Sequence, residues 1–202
     1  MAKTTTENLI DLDLDEPVWE RCFTVFPLVV VGTREADGSD DLAPKHLAMP
    51  VSWQNHFGFV CTPRHNTYQN IQRSGEFSVT YVRPSQTVLA SLAASPRCND
   101  GSKPITDAIP TFEAEAINAP LLRNGYLFLE CRLDRIIDDL GDNSLIMGKI
   151  VKARLAEDAL RGTDFDDEDL IFDSPLLAYL YPGRFAEIKA STKLPFPAGF
   201  KR

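Results

Sequence analysis

The chain has 202 residues, 44% of them hydrophobic, which is enough to fill the core of one ordinary domain. Its 29 acidic residues outnumber 21 basic ones, and the resulting net charge of -8 disfavours binding to nucleic acid or to an anionic membrane. No apolar run is long enough to cross a bilayer and the first residues do not resemble a secretory signal, so we expect a cytoplasmic protein.

The cysteines indicate neither a zinc site nor a disulfide framework. Cys22, Cys61, Cys98 and Cys131 are widely spaced and form no CxxC pair. We therefore expect reduced thiols. Cys61 and Cys131 lie in apolar runs and are expected to be buried structural residues, without a redox role.

The first predicted elements are an arm, a strand and a hairpin turn. Residues 1–22 are mostly polar and acidic and are interpreted as an N-terminal arm. The run PLVVVGT, residues 27–33, is β-branched and too short for a typical helix, which predicts a buried strand. The Asp-Gly pair in the following EADGSDD predicts the turn of a hairpin.

Further apolar runs of strand length recur along the chain, at 57–61, 76–82, 126–137 and 144–153. The segment DDLGDN between the last two predicts a second hairpin. Within 126–137, alternation places Leu129, Cys131 and Leu133 on one core-facing side, with Arg135 next in the pattern. Strands separated by turns, with only short helices between them, predict a mainly β, antiparallel fold.

Two short helices are predicted beside these strands. One covers 67–75 and ends at Gly75, a residue type common just after a helix C-terminus. The other covers 84–95 and begins at Pro84, which is suited to the first helical turn. The segment 157–173 is rich in Asp and Glu and is expected to be an acidic surface insertion.

The segment Leu42 to Phe77 concentrates the residues that bear chemistry. Asn66 or Thr67 is predicted to cap the helix that follows, so the free amides and positive dipole end of this helix would face an anion. Thr62, Arg64 and His65 stand just before it and would add a hydroxyl, a guanidinium and an imidazole. The pattern indicates a phosphate-binding turn, although a merely solvated helix start would look the same.

A second feature is the segment LAPKHLAMPVS, residues 42–52. Pro44 and Pro50 bracket a stretch with neither strand nor helix periodicity. Its backbone amides and carbonyls would be free to meet the polar edge of a flat heterocycle.

The order of these motifs resembles the flavin reductase-like family of FMN-binding split β-barrels. The similar segments are PLVVVGT, LAPKHLAMPVS, TPRHNTYQNI, GEFSVTYV, LECRLDRIIDDLGDNSLIMGKIV and PLLAYLYPGRFAEI. Together they cover residues 23–188, with 83–121 and 156–173 the least similar parts. Within 83–121, the Pro- and Gly-rich stretch 96–120 is expected to pass over the barrel mouth or toward a neighbouring subunit.

The resemblance implies an antiparallel split β-barrel over 23–190 with short peripheral helices, followed by a C-terminal tail, 191–202. It also implies a homodimer with FMN at the subunit interface and NADH or NADPH as electron donor. Carried over by motif, the residues lining the isoalloxazine would be Lys45, His46, Leu47 and Ala48, with Cys61 and Thr62 approaching through backbone. The phosphate would be held by Arg64, His65, Asn66 and Thr67. The family often has serine and aromatics at 46–48 and lysine at 65, where this chain has HLA and His65.

The implied activity is hydride transfer from NAD(P)H to FMN, followed by electron transfer to a small acceptor or release of reduced flavin. This chemistry requires no acid or base from the protein, so no catalytic residue is named. A non-catalytic FMN-binding redox sensor or electron carrier is the main alternative, because a fold does not decide activity. An enzyme that uses flavin on an organic substrate, and an interaction domain without cofactor, are two more.

The histidines and the tail complete the predictions. His46, His56 and His65 are ten and nine residues apart, which does not match a close ligand pair, so no metal site is predicted. His46 and His65 are interpreted as flavin neighbours and His56 as solvated in a loop. The tail, with Lys193, Lys201 and Arg202, would be loose and solvated, or would cover a partner's flavin or attract nicotinamide phosphates.

Overall fold

The apolar runs form β-strands in the computed structural model, which describes residues 9–162 and 167–199. The described strands are β1 Thr24–Pro27, β2 Val29–Arg34, β3 Asp40–Lys45, β4 Ala48–Ser52, β5 His56–Cys61, β6 Glu76–Tyr81, β7 Thr111–Glu113, β8 Pro120–Leu122, β9 Leu127–Leu140, β10 Asn143–Leu155, β11 Leu176–Tyr181 and β12 Arg184–Ile188. The described helices are α1 Asn66–Ser74, α2 Thr87–Leu92 and α3 Asp167–Asp173, with 3-10 turns at Val18–Glu20, Pro84–Gln86, Pro104–Ala108 and Glu157–Ala159.

Parts of three predictions lie outside the described residues. They are the first eight residues of the N-terminal arm, the segment 163–166 of the acidic insertion, and the last three residues of the tail, which include Lys201 and Arg202. In the part of the chain that the structure does describe, every helix falls short of the length and hydrophobicity needed to span a membrane.

One antiparallel sheet dominates the fold. Its seven strands have the order β3-β2-β6-β9-β10-β5-β4, and a three-stranded sheet β1-β11-β12 lies beside it. The large sheet curls so far that Lys45, at the end of β3, places its Nζ 3.4 Å from the Sγ of Cys61, at the end of β5. This curled half-barrel confirms the mainly β, antiparallel prediction.

Both faces of β2 are covered, which explains its continuous β-branched sequence. Val29 and Val31 point into the barrel core, where Tyr68 and Ile71 of α1 also pack. Val30 points to the opposite face and belongs to a second cluster, formed with residues of α2 and the 96–120 stretch. Alternate valines therefore serve two cores.

The 96–120 stretch was expected over the barrel mouth or at a neighbouring subunit, and this expectation is corrected. Ile109 is buried against the outer face of β2, and the short hairpin β7–β8 follows it. Apolar residues at the end of the stretch and just after it, Ala119 and Leu121, are fully buried. They act as a second layer over the sheet because this face would otherwise expose valines.

Strand β9 departs from the predicted alternation after Leu133. Leu133 pairs with Gly148 and Arg135 with Met147, so Asp134 is an extra residue, a β-bulge. The bulge turns Arg135 outward and brings Ile136 against the core instead. A single inserted residue reverses the two faces of a strand, which simple alternation does not anticipate.

Replacing Gly32 with alanine is expected to lower the free energy of unfolding by about 1–3 kcal/mol. A Cβ at Gly32 would lie 2.1 Å from the backbone oxygen of Pro120 and 2.5 Å from Ser78 Oγ, so β8 would have to move off β2. Urea unfolding of the purified variant measures the loss. Gly38→Asn, in an open turn with φ 89°, is the control and should change stability by less than about 1 kcal/mol. An unchanged urea midpoint for Gly32→Ala would contradict the tight β2–β8 packing.

Candidate functional site

Helix α1 begins beside the open edge of the barrel, at the predicted phosphate-binding turn. Its N-cap is His65, whose extended conformation (φ -81°, ψ 142°) lets its carbonyl accept bonds from the amides of Tyr68 and Gln69, at 3.0 and 3.2 Å. The prediction that Asn66 or Thr67 caps the helix is therefore wrong. The side chains of both are bound elsewhere, which is why neither folds back onto the first turn.

The end of α1 matches the prediction. Gly75 has a left-handed conformation, φ 71°, and its amide bonds to the carbonyl of Ile71. The first amides of any α-helix lack a carbonyl one turn earlier. Those of α1 therefore face outward next to the cations described below.

Three basic side chains, Lys45, Arg64 and His65, surround the start of α1, and we call them the cationic cluster. Burial lowers the pKa of His65, and the positive charges of Lys45 and Arg64 lower it further, against a smaller opposing effect of Asp41. Lys45 and Arg64 are therefore each close enough to His65 to disfavour its charged form. Arg64 and His65 are exposed and Lys45 is half-buried. An anion placed among them would relieve the repulsion.

Cys61 and Thr62 lead from β5 into this turn. The Cys61 side chain is buried, as predicted, with its Sγ 3.4 Å from Lys45 Nζ. Thr62 Oγ1 donates to Asn143 Oδ1 at 3.2 Å, which ties the turn to β10. These contacts hold the backbone of 61–62 in place beside the cationic cluster.

The two residues after His46 differ in exposure. Leu47 is 41% exposed, and its carbonyl accepts a bond from the amide of Val60 at 2.9 Å. Ala48 is buried in the barrel core, and its amide donates to the carbonyl of His46 at 2.9 Å. The segment 42–52 was predicted to be irregular with free backbone groups, and this is corrected: it forms the ends of β3 and β4 and their connection, which presents an apolar side chain to solvent.

The ring of His46 packs among aromatic rings. Its centroid lies 4.8 Å from Tyr179, 5.4 Å from Tyr181 and 5.6 Å from Phe26. Burial, and to a lesser extent the charge of Lys45, lowers the pKa of His46. This ring connects the three-stranded sheet to the β3–β4 connection, a packing role that the sequence did not reveal.

The structure also corrects the reading of His56. It was expected in a solvated loop, but it opens strand β5, and its Nδ1 lies 2.9 Å from Ser52 Oγ. Among residues 9–162 and 167–199, no cluster of three His, Cys, Asp or Glu side chains has the arrangement of a metal site.

Two sets of contacts near the site have no signal in the sequence. Tyr68 donates its hydroxyl to Asp138 at 3.0 Å, anchoring α1 to β9. Glu35, Asp41 and Arg97 form an ion-pair network against the first turn of α1. Asp41 lay in a predicted hairpin and Arg97 in an irregular stretch, and no local pattern connects them.

Two cavities of the described structure meet the predicted site only at Asn66. One of about 490 Å³ includes Asn66 in its wall and is otherwise lined mainly by the Glu35–Asp40 turn and by 97–107. The other, about 1060 Å³, lies under the 191–199 tail beside α3. The cationic cluster borders neither of them and lies on an open surface, where a ligand would keep one side uncovered by this chain.

The comparisons with known proteins match this architecture. The flavin reductase like domain matches residues 21–188. Nitrilotriacetate monooxygenase component B from Bacillus cereus superposes with a TM-score of 0.78 at 18% identity, over 92% of this chain and 98% of that chain. An FMN-binding protein from Thermus thermophilus, with bound 1-cyclohex-2-enone, gives 0.76 at 19% identity, over 93% and 100%.

Flavoredoxin from Methanosarcina acetivorans superposes with a TM-score of 0.75 at 18% identity, over 95% of this chain and 97% of that chain. At such low identities, these superpositions show a common fold. They confirm the predicted split barrel. The domain match adds sequence evidence and spans most of the chain, from before β1 to the end of β12. The chain therefore belongs to the flavin reductase-like family.

Proposed function

We propose that this protein binds FMN, with the phosphate at the start of α1, and acts as an oxidoreductase that passes electrons from NADH or NADPH through the flavin to a small acceptor. The observation that carries the proposal is the cationic cluster at the N-terminus of a nine-residue helix. The chain as a whole carries a net charge of -8, which repels anions. An anion-binding site on it therefore needs local positive charge of this kind.

The residues present fit FMN. Arg64 offers a guanidinium fork, and the outward amides of α1 offer hydrogen-bond donors at the positive end of the helix dipole. Leu47 and Met49 are exposed apolar side chains on the adjacent β3–β4 connection and β4, suited to contact a planar ring. Phosphate donors and an apolar surface thus meet at one edge of the barrel.

FMN, when bound, supplies the hydride acceptance and electron transfer of the reaction. The chain's own residues bind and orient. Arg64 and the first α1 amides would hold the phosphate. The 61–62 backbone, fixed by the hydrogen bond from Thr62 to Asn143, would contact the ring and help to orient it. Lys45, which lies against Cys61, would place its positive charge beside the bound flavin. Holding the flavin in one orientation is the contribution expected of a protein that provides no acid or base.

Turnover assays test this function. Oxidation of NADH or NADPH, measured as the loss of the reduced nicotinamide's ultraviolet absorbance, should depend on added FMN. Arg64→Ala should slow this oxidation when FMN is limiting. FMN binding without oxidation of either nicotinamide would contradict the reductase and favour the non-catalytic carrier. The solved structures similar to this chain include a nitrilotriacetate monooxygenase component B and a flavoredoxin.

A homodimer is the second part of the proposal. Strands β1 and β4 lie side by side and carry exposed apolar side chains, Val25 at 67%, Met49 at 57%, and Trp53, just beyond β4, at 94%. Large exposed apolar side chains on neighbouring strands are typical of an interface. A second copy covering them would also close the open side of the cationic cluster.

Replacing Met49 with aspartate is expected to shift the protein from dimer to monomer, because the interface would bury an unpaired charge. Light scattering after size-exclusion chromatography should give the wild type twice the 22.5 kDa chain mass. Val88→Asp, on the exposed face of α2, is the matched control and should remain dimeric. A monomeric wild type would contradict the dimer, and a dimeric Met49→Asp would contradict this interface.

A further inference from the structure

Two carboxylates hold the first turn of α1 by its side chains. Glu35 accepts hydrogen bonds from Asn66 Nδ2 at 3.2 and 3.3 Å. Asp41, which is almost completely buried, accepts one from Thr67 Oγ1 at 3.1 Å through its Oδ2. The first two residues of the helix are thus fixed to the β2–β3 hairpin.

Arg97 bridges the two carboxylates. Its Nη2 contacts Glu35 Oε1 and lies 2.7 Å from Asp41 Oδ1, while its Nη1 donates to the carbonyl of Gly101 at 2.9 Å. The three side chains are mostly shielded from water, with exposures of 24% for Arg97, 15% for Glu35 and 3% for Asp41. Their charges therefore interact more strongly than surface charges do.

The two carboxylates do not depend equally on Arg97. Asp41 has a second cation, Lys103, whose Nζ lies 3.6 Å from Asp41 Oδ1. In the described part of the chain, Glu35 forms its ion pair with Arg97. Without Arg97, the negative charge of Glu35 would stand uncompensated against the first residue of α1, where it would repel an anion.

We propose that Arg97 is a positioning residue of the anion site: it neutralises Glu35 and, through Glu35 and Asp41, holds the first turn of α1 in place for the phosphate of FMN. The inference rests on the proposed FMN function. Arg97 does not touch the phosphate in this account. It belongs to the 96–120 stretch, which lies within one of the two segments least similar to the family motifs.

Arg97→Gln tests the proposal through equilibrium titration with FMN and with riboflavin, which lacks the phosphate. We expect the dissociation constant of FMN to rise about tenfold, because the mostly shielded negative charge of Glu35 would be left unpaired beside the first residue of α1. Riboflavin affinity should change less than about twofold. A structural defect in the barrel would weaken both ligands alike.

Arg34→Gln is the matched control. Arg34 also bridges two carboxylates, Asp40 and Glu113, and its side chain is 16% exposed, but it does not contact the first turn of α1. The same change of charge there should leave the FMN to riboflavin preference unchanged.

The double variant Glu35→Gln/Arg97→Gln supplies the rescue. It removes the uncompensated carboxylate and should recover most of the lost FMN affinity. Glu35→Gln alone, which keeps Arg97, should bind FMN at least as tightly as the wild type and serves if Arg97→Gln fails to fold.

The outcomes separate the two claims. If the wild type binds FMN no better than riboflavin, the phosphate site of the proposed function fails. If the wild type prefers FMN and Arg97→Gln keeps the full preference, only the positioning role is overturned. No rescue by Glu35→Gln, or weaker FMN binding by Glu35→Gln alone, would likewise overturn it.

Discussion

Replacing Arg64 with alanine is expected to raise the dissociation constant of FMN by about 10- to 100-fold. A charge-assisted hydrogen bond to phosphate contributes about 1.5–3 kcal/mol, and each 1.4 kcal/mol corresponds to a factor of about ten. Arg64 is exposed at the entrance to α1, so its removal should leave the barrel intact. Quenching of flavin fluorescence on titration with protein measures the constant.

Two comparisons make the Arg64 result specific. Riboflavin, without a phosphate, should bind wild type and Arg64→Ala alike. Arg135→Ala removes another exposed arginine, one displaced outward by the β9 bulge, and should bind FMN as the wild type does. Equal FMN affinity of Arg64→Ala and wild type would remove Arg64 from the phosphate site.

Replacing Phe77 with alanine is expected to lower the free energy of unfolding by about 3–5 kcal/mol. Phe77 is fully buried at the centre of the barrel and meets Phe59 edge to face at 5.4 Å. Its ring fills the space above Gly148, where an added Cβ would lie 2.6 Å from ring atoms. Neither neighbour can expand into the cavity, because a glycine has no side chain and Phe59 is held in the same core.

Urea or guanidinium unfolding measures this loss. Phe172→Ala is the matched control, since Phe172 lies on α3 and is 65% exposed. Its stability should change by less than about 1 kcal/mol. Similar unfolding midpoints for the two variants would show that Phe77 is not central to the barrel.

The strands were predictable because their signals are local. The valines of β2, the Asp-Gly turn at Gly38 and the DDLGDN turn each determine structure within a few residues, and all three are found where expected. Local periodicity fails to predict the faces of β9, because one extra residue, Asp134, exchanges them. A bulge depends on the partner strand, which local periodicity does not contain.

The site was predictable only in part. The family motif located Lys45, Arg64 and His65, and the structure brings these three together at α1. The contact of Arg97 with Asp41 joins residues 56 positions apart, and His46 meets Phe26 and Tyr179 from opposite ends of the chain. Such contacts arise from strand pairing between β1 and β11 and from packing of the 96–120 stretch, both of which are long-range.

The most direct test is the visible absorption spectrum of the protein after incubation with excess FMN and removal of free ligand. We expect a yellow protein with a perturbed flavin spectrum, close to one flavin per chain, and release of intact FMN on heating. A colourless protein that takes up no FMN, even from a large excess, would contradict binding at α1 and the function built on it.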